Sequence, residues 1–170
     1  MSEEQKEGDG PREEKAAPRA PAKKNPMEDR LAAAFGDAVR TRYNSQGDLE
    51  ISVRPEKLSE LFGALAGDAE TSYDYLRNLT AIDWKDRLET VYHLCSTPTM
   101  TTIVVKCELN RAEPAVASAT RFWPGANWLE REVFDLFGIK FAGHPDLRRI
   151  MLPEEWRGHP LLKDYVMPED

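Results

Sequence analysis

The chain has 170 residues, of which 23 are lysine or arginine and 30 are aspartate or glutamate, giving a formal charge of −7 at neutral pH and a pI near 5.1. That length suits one domain that buries its own core without a disulfide or a metal, and the acidic balance supplies no basic face for nucleic acid. Cys95 and Cys107, the two cysteines, stand inside apolar runs; they are too few for an iron–sulfur cluster or a zinc site and read as buried thiols of a reducing cytoplasm.

The N-terminus, MSEEQKEGDG, lacks the apolar stretch of a secretory signal, and no later run reaches the ~18 apolar residues of a membrane span, so a soluble cytoplasmic protein is expected. Residues 1–26 carry six acids, six bases and four prolines but no aromatic or branched aliphatic side chain. Nothing there offsets the entropy of ordering, and a disordered tail is expected. From Met27 the pattern changes. Leu31, Ala34, Phe35 and Ala38 fall at helical spacing. Leu49 to Val53 alternates as a half-buried strand does, and Pro55 then opens a helix with Leu58, Leu61, Phe62 and Leu65 on one face, closed by Gly67. Tyr73 to Ile82 suits a further helical turn or two through Tyr75, Leu76 and Leu79, with a strand as the alternative. Thr90–Cys95 and Thr101–Cys107 read as strands joined by a hairpin at Ser96–Thr99. A helical stretch from Pro114 to about Phe122 ends at the Trp123-Pro124-Gly125 break. The expected fold class is α+β, an antiparallel sheet with helices on one face in a ferredoxin-like arrangement over residues 27–123. Residues 124–170 then form a helix and an irregular, extended C-terminal arm.

Within that last segment the chemistry concentrates. Asn127 followed by Glu130 has the spacing of a helix cap, and Gly138 is placed to end the helix. Leu129, Val133, Phe134, Leu136 and Phe137 share an apolar arc that also contains Glu130, while Trp128, Arg131, Glu132 and Asp135 form the opposite stripe. Glu130 is therefore either the capping acid or the buried half of an ion pair with Arg148 or Arg149. Arg131 and Asp135 are spaced to pair along the exposed stripe. His144 and His159 each precede proline and are expected on loops. A third nitrogen or sulfur ligand is missing near them, which disfavours a metal site. No nucleophile elbow, glycine-rich phosphate loop or dinucleotide fingerprint occurs, and Glu154-Glu155 reads as a solvated turn. Conspicuous side chains without a catalytic constellation point to an interface anchored by Trp128, Trp156, Tyr165, Arg148 and Arg149.

The run Glu130-Arg131-Glu132, Asp135-Leu136-Phe137, His144, Arg148 and Ile150-Met151 resembles the signature of the C subunit of bacterial NADH-quinone oxidoreductase, the 30 kDa subunit family of respiratory complex I. Tyr75 to Asp83 and Pro124 to Trp128 are also similar to that family, and the likeness extends from about Met27 to Tyr165. One departure is Leu162, where the family commonly has arginine. The resemblance implies a scaffold subunit in the peripheral arm of a proton-translocating enzyme, without a catalytic, cofactor or metal site of its own. FMN, iron–sulfur clusters, NADH and quinone belong to the assembled complex. Implied partners are the large quinone-site subunit of the D type and iron–sulfur subunits of the B and I types, with the chain held peripherally on the cytoplasmic side of the cell membrane. Glu130, Arg131, Glu132, Asp135, His144, Arg148, Arg149, His159, Lys163 and Asp164 are the residues expected at the partner interface. The same scaffold role in a membrane-bound [NiFe] hydrogenase, or in a quinone reductase fed by ferredoxin or reduced deazaflavin, is the alternative assembly. A free-standing enzyme using His144 or His159 as acid–base catalyst is a third possibility of another class.

Overall fold

A computed structural model describes residues 24–167. Most of the expected tail, residues 1–23, lies outside the described residues. Helix α1 (Pro26–Phe35) starts at a proline, with Asn25 accepting the Met27 N–H at 2.9 Å and Glu28 and Asp29 in the first turn. Asn25 is itself buried and donates to the Tyr73 hydroxyl at 3.0 Å, so the ordered fold takes in residues 24–26, which composition alone assigns to the tail.

The chain continues through β1 (Val39–Tyr43), β2 (Leu49–Val53), α2 (Leu58–Gly67), β3 (Tyr75–Asp83), β4 (Arg87–Ser96) and β5 (Thr101–Asn110). Then follow β6 (Ala115–Ala117), α3 (Ala126–Phe137) and β7 (Lys140–Ala142). The main sheet has the order β1-β2-β5-β4-β3, and β6 pairs with β7 in a small second sheet. β2 runs parallel to β5, so the expected all-antiparallel sheet is corrected to a mixed one, and its strand order does not establish a ferredoxin-like arrangement. A parallel neighbour needs a crossover, which α2, β3 and β4 supply between β2 and β5.

Two local expectations are corrected for physical reasons. Tyr75–Asp83 is a strand, and its apparent helical spacing comes from a bulge at Arg77, which sets the inward Leu76 and Leu79 three residues apart instead of two. The stretch from Pro114 contains no helix. Ala115–Ala117 pairs with Lys140–Ala142, and Lys140 N–H donates to the Pro114 carbonyl at 2.9 Å. A non-local partner thus overrides the helix preference of an alanine-rich run.

One face of the main sheet is packed. Ile51, Tyr92, Leu94, Ile103 and Val105 from the strands meet Leu31 of α1, Leu61, Phe62 and Leu65 of α2, and Val133 and Phe137 of α3 in one core. The Phe62 ring meets Tyr92 and Trp123 edge-on at centroid distances of 4.9 and 5.1 Å, contacts worth about 0.5–1.5 kcal/mol each beyond burial. The other face is polar: Glu50 bridges Arg42 at 2.6 Å and Lys106 at 3.0 Å across three strands. Beyond Ala142 the described chain has no further helix or strand, and it folds back on its own domain instead of extending away from it.

Candidate partner-docking site

Helix α3 positions most of the predicted residues. It begins at Ala126, with Gly125 at the cap position two residues before the expected Asn127, because the Trp123-Pro124-Gly125 turn supplies its first carbonyl acceptors. Trp123 O receives Ala126 N–H, and Pro124 O receives Asn127 N–H. Neither capping by Asn127 nor a capping role for Glu130 is observed. Gly138 ends the helix in the left-handed conformation (φ 78°) that glycine favours, and its N–H reaches Phe134 O at 2.9 Å. A Cβ there would sit 2.7 Å from the His159 ring, so the glycine also lets the downstream loop close on the helix.

Asp135 is the centre of that closure. Its side chain is 0% exposed. Oδ1 accepts from Arg149 Nη1 at 2.6 Å, and Oδ2 accepts the consecutive N–H groups of Ile150, Met151 and Leu152 at 3.0, 2.8 and 2.9 Å. Burial alone would raise this carboxyl; the Leu152 N–H, the Arg149 guanidinium and the two other N–H groups outweigh it and hold the pKa below its ordinary value. Arg149 extends the same knot, donating from Nη2 to the carbonyls of Trp156 and Gly158 at 3.2 and 3.0 Å. The Asp135 carbonyl accepts from His159 at 2.9 Å, which fixes the His159 proton on Nδ1.

Arg131 and Asp135 do not pair with each other, and neither lies on an exposed stripe. Both are buried beneath the returning chain. Arg131 donates to the Arg148 and Arg149 carbonyls at 3.1 and 3.3 Å and lies over the Trp128 ring, 5.1 Å from its centroid. His144 accepts the Asp146 N–H at Nδ1, so Nε2 carries the proton and donates to the Asn127 carbonyl at 3.1 Å. Both histidines lie on loops, as their prolines require, and both serve as hydrogen-bonded anchors. Arg148 pairs with Asp146, at 2.9 Å and largely in solvent, and Glu132 is exposed.

Glu130 faces inward and is 0% exposed. It pairs with neither Arg148 nor Arg149; it accepts from Ser118 Oγ at 2.7 Å and Ala119 N–H at 2.5 Å. Lys163 and Asp164 belong to a second knot. Buried Asp83 accepts from Arg111, the Lys85 N–H at 2.7 Å and the Lys163 N–H at 2.8 Å, and Arg111 also reaches Asp164 at 2.5 Å. The guanidinium of Arg111 holds Asp83 well below the usual carboxylate range. In the sequence Asp83 stands out only through the family likeness, and nothing singles out Arg111, Ser118 or Ala119. An aspartate closing a strand before a tight turn is the one signal available for this knot.

The structure thus brings Arg131, Asp135, Arg149 and His159 into one cluster with the backbone of Arg148 and gathers Lys163 and Asp164 at another. It leaves Glu132 and Arg148 outward and turns Glu130 into the core. Leu162, where the family commonly has arginine, packs against the core. What this framework shows to solvent is Trp128, 64% exposed, and Met151, 61% exposed. Among the described residues no group of three or more His, Cys, Asp or Glu could hold a metal, and no helix is long and apolar enough to cross a membrane.

Comparison with known proteins gives this framework a context. Residues 51–170 match the family model described as the respiratory-chain NADH dehydrogenase, 30 Kd subunit. The NADH-quinone oxidoreductase C subunit of Roseiflexus sp. (strain RS-1) is 45% identical over 139 residues, covering 80% of each chain. The C subunit of the same enzyme from Citrifermentans bemidjiense is 38% identical over 141 residues, covering 81% of this chain and 86% of its own. The structure of a trypsin-resistant fragment of Nqo5 superposes with a TM-score of 0.63 at 28% identity, covering 71% of this chain and 98% of the fragment. The chain belongs to the family of the respiratory-chain NADH dehydrogenase 30 kDa subunit, the C subunit of NADH-quinone oxidoreductase.

Proposed function

We propose that the chain is a non-catalytic brace in the peripheral arm of a proton-translocating NADH:quinone oxidoreductase, docked on the large quinone-site subunit on the cytoplasmic side of the membrane. The observation that carries this reading is the Asp135 knot. One carboxylate holds Arg149 and three consecutive backbone N–H groups of the returning segment. An irregular segment fixed this firmly is preorganised, so a partner meets Trp128 and Met151 without an ordering cost. The predicted interface residues divide the work. Arg131, Asp135, Arg149 and His159 build the surface from beneath, Lys163 and Asp164 fasten its far end, and Glu132 and Arg148 stand where a partner's charges meet them. FMN, iron–sulfur clusters, NADH and quinone then belong to neighbouring subunits, among them iron–sulfur subunits of the B and I types. The experiment is co-purification from native membranes. Replacing Arg149 by alanine should strip the chain from the complex and lower NADH:quinone reductase activity in step, whereas undiminished recovery and activity would contradict the docking role.

A further inference from the structure

Two carboxylates on α3 sit in opposite electrical surroundings. Asp135 receives four donors, one of them a guanidinium. Glu130, equally buried, receives two, from Ser118 and Ala119, and no lysine, arginine or histidine among the described residues pairs with it. An ionised carboxylate offers about four lone-pair sites, so as an anion Glu130 would keep half its acceptor capacity unmet in the core. As an acid it needs less. Oε1 keeps the Ala119 N–H, and Oε2–H donates to Ser118 Oγ. The Ser118 oxygen then accepts from Glu130 and from the Thr120 N–H at 3.1 Å while donating to Thr120 Oγ1 at 2.7 Å, which uses its one donor and both lone pairs. The same heavy-atom contacts serve both protonation states, and only hydroxyl hydrogens need rotate.

Among the described residues the surroundings supply no compensating charge. α3 packs on β3 and β7, whose inward residues are Leu76, Leu79, Ala81 and Phe141, with Asp83 at the strand end already held by Arg111. β4 contributes Tyr92, a fully buried phenol that burial holds in its neutral form, well above its ordinary pKa. On α3 itself the neighbouring Arg131 is turned to the Arg148 and Arg149 carbonyls, and Glu132 is in solvent.

We propose that Glu130 is a proton-binding site, a carboxyl that its seat between α3 and the Ser118–Ala119 turn keeps protonated well above the pH at which an ordinary glutamate ionises, so that α3 is clamped most firmly in its protonated form. Burial, only partly offset by the Ser118 and Ala119 bonds, pushes this group up to about 7, in agreement with the geometry. The proton needs no partner subunit, so the inference stands apart from the docking assignment.

The test is urea unfolding of the full-length chain between about pH 5 and pH 8, as wild type and as Glu130→Gln, the uncharged isostere. The three histidines are common to both proteins, so the difference isolates Glu130. The wild-type unfolding constant should grow on the order of a hundredfold more than the variant's across that interval. Parallel curves would overturn the proposal. Should the variant not fold, the carboxyl ¹³C resonances of the wild type decide. A glutamate titrating near neutrality supports the site, and all glutamates titrating near the ordinary value of about 4.3 would refute it.

Discussion

At the scale of single residues, three of the signature's charges, Glu130, Arg131 and Asp135, turn inward to hold the chain's own backbone, while Glu132 and Arg148 stay outward. Asp135 lies at the centre, and removing it leaves Arg149 partly buried without its counter-charge and three N–H groups without an acceptor. Asp135→Ala should therefore cost about 3–5 kcal/mol in urea unfolding; a loss below about 1 kcal/mol would show that the knot is not a stability centre. Gly138→Ala is predicted to cost about 1–3 kcal/mol, because the residue is left-handed and its Cβ would meet the His159 ring. A fully stable alanine variant would contradict that packing. The importance of these positions is legible in the sequence; their partners are not. Spacing suggests that Arg131 pairs with Asp135, yet each reaches residues more than ten positions away. Helical periodicity ranks faces by hydrophobicity and cannot anticipate a loop returning over a polar stripe.

At the scale of elements, local signals succeed where structure is local. The alternation of Leu49–Val53 predicts β2 at its observed limits, an apolar face marks α2, although Pro55 opens a short 3-10 turn and the α-helix itself begins at Leu58, and the turn residues mark the β4–β5 hairpin. They fail where pairing is distant, as in β6, or where a bulge disguises the period of β3. Strand β1 escapes the sequence reading because Val39–Tyr43 alternates an apolar-to-intermediate face with two arginines, a weak signal in five residues. At the head of α1, Asn25→Ala removes the cap and should lower stability by about 1 kcal/mol in the same unfolding assay; no change would mean that Asn25 does not set the helix start. At the junction of α1 and α2, burial would raise Asp68, but the Thr71 N–H and hydroxyl, Arg30 and the Glu70 N–H bring it down to about 2. Asp83, at the end of β3, is also depressed. A depressed carboxyl stabilises the fold above its unfolded value of about 4 and loses that contribution as pH falls through its folded value. Melting temperature should accordingly fall as the pH drops from about 4 towards 2, and Asp68→Asn should flatten part of the decline. An unchanged acid profile in that variant would contradict the linkage.

At the scale of the whole molecule, the sheet buries one face under three helices and leaves the other polar. The returning segment is tied at two separate carboxylates, Asp135 on α3 and Asp83 on β3, so one surface is built from distant parts of the chain. That surface, with Trp128 and Met151 outermost, is where the quinone-site subunit should lie. The most direct measurement places a photo-crosslinking residue at position 128 of the full chain within the complex in native membranes, and the captured chain is identified by mass spectrometry. Capture of the large quinone-site subunit is the predicted result. Capture of a different subunit, or none while the complex remains intact and active, would contradict the account.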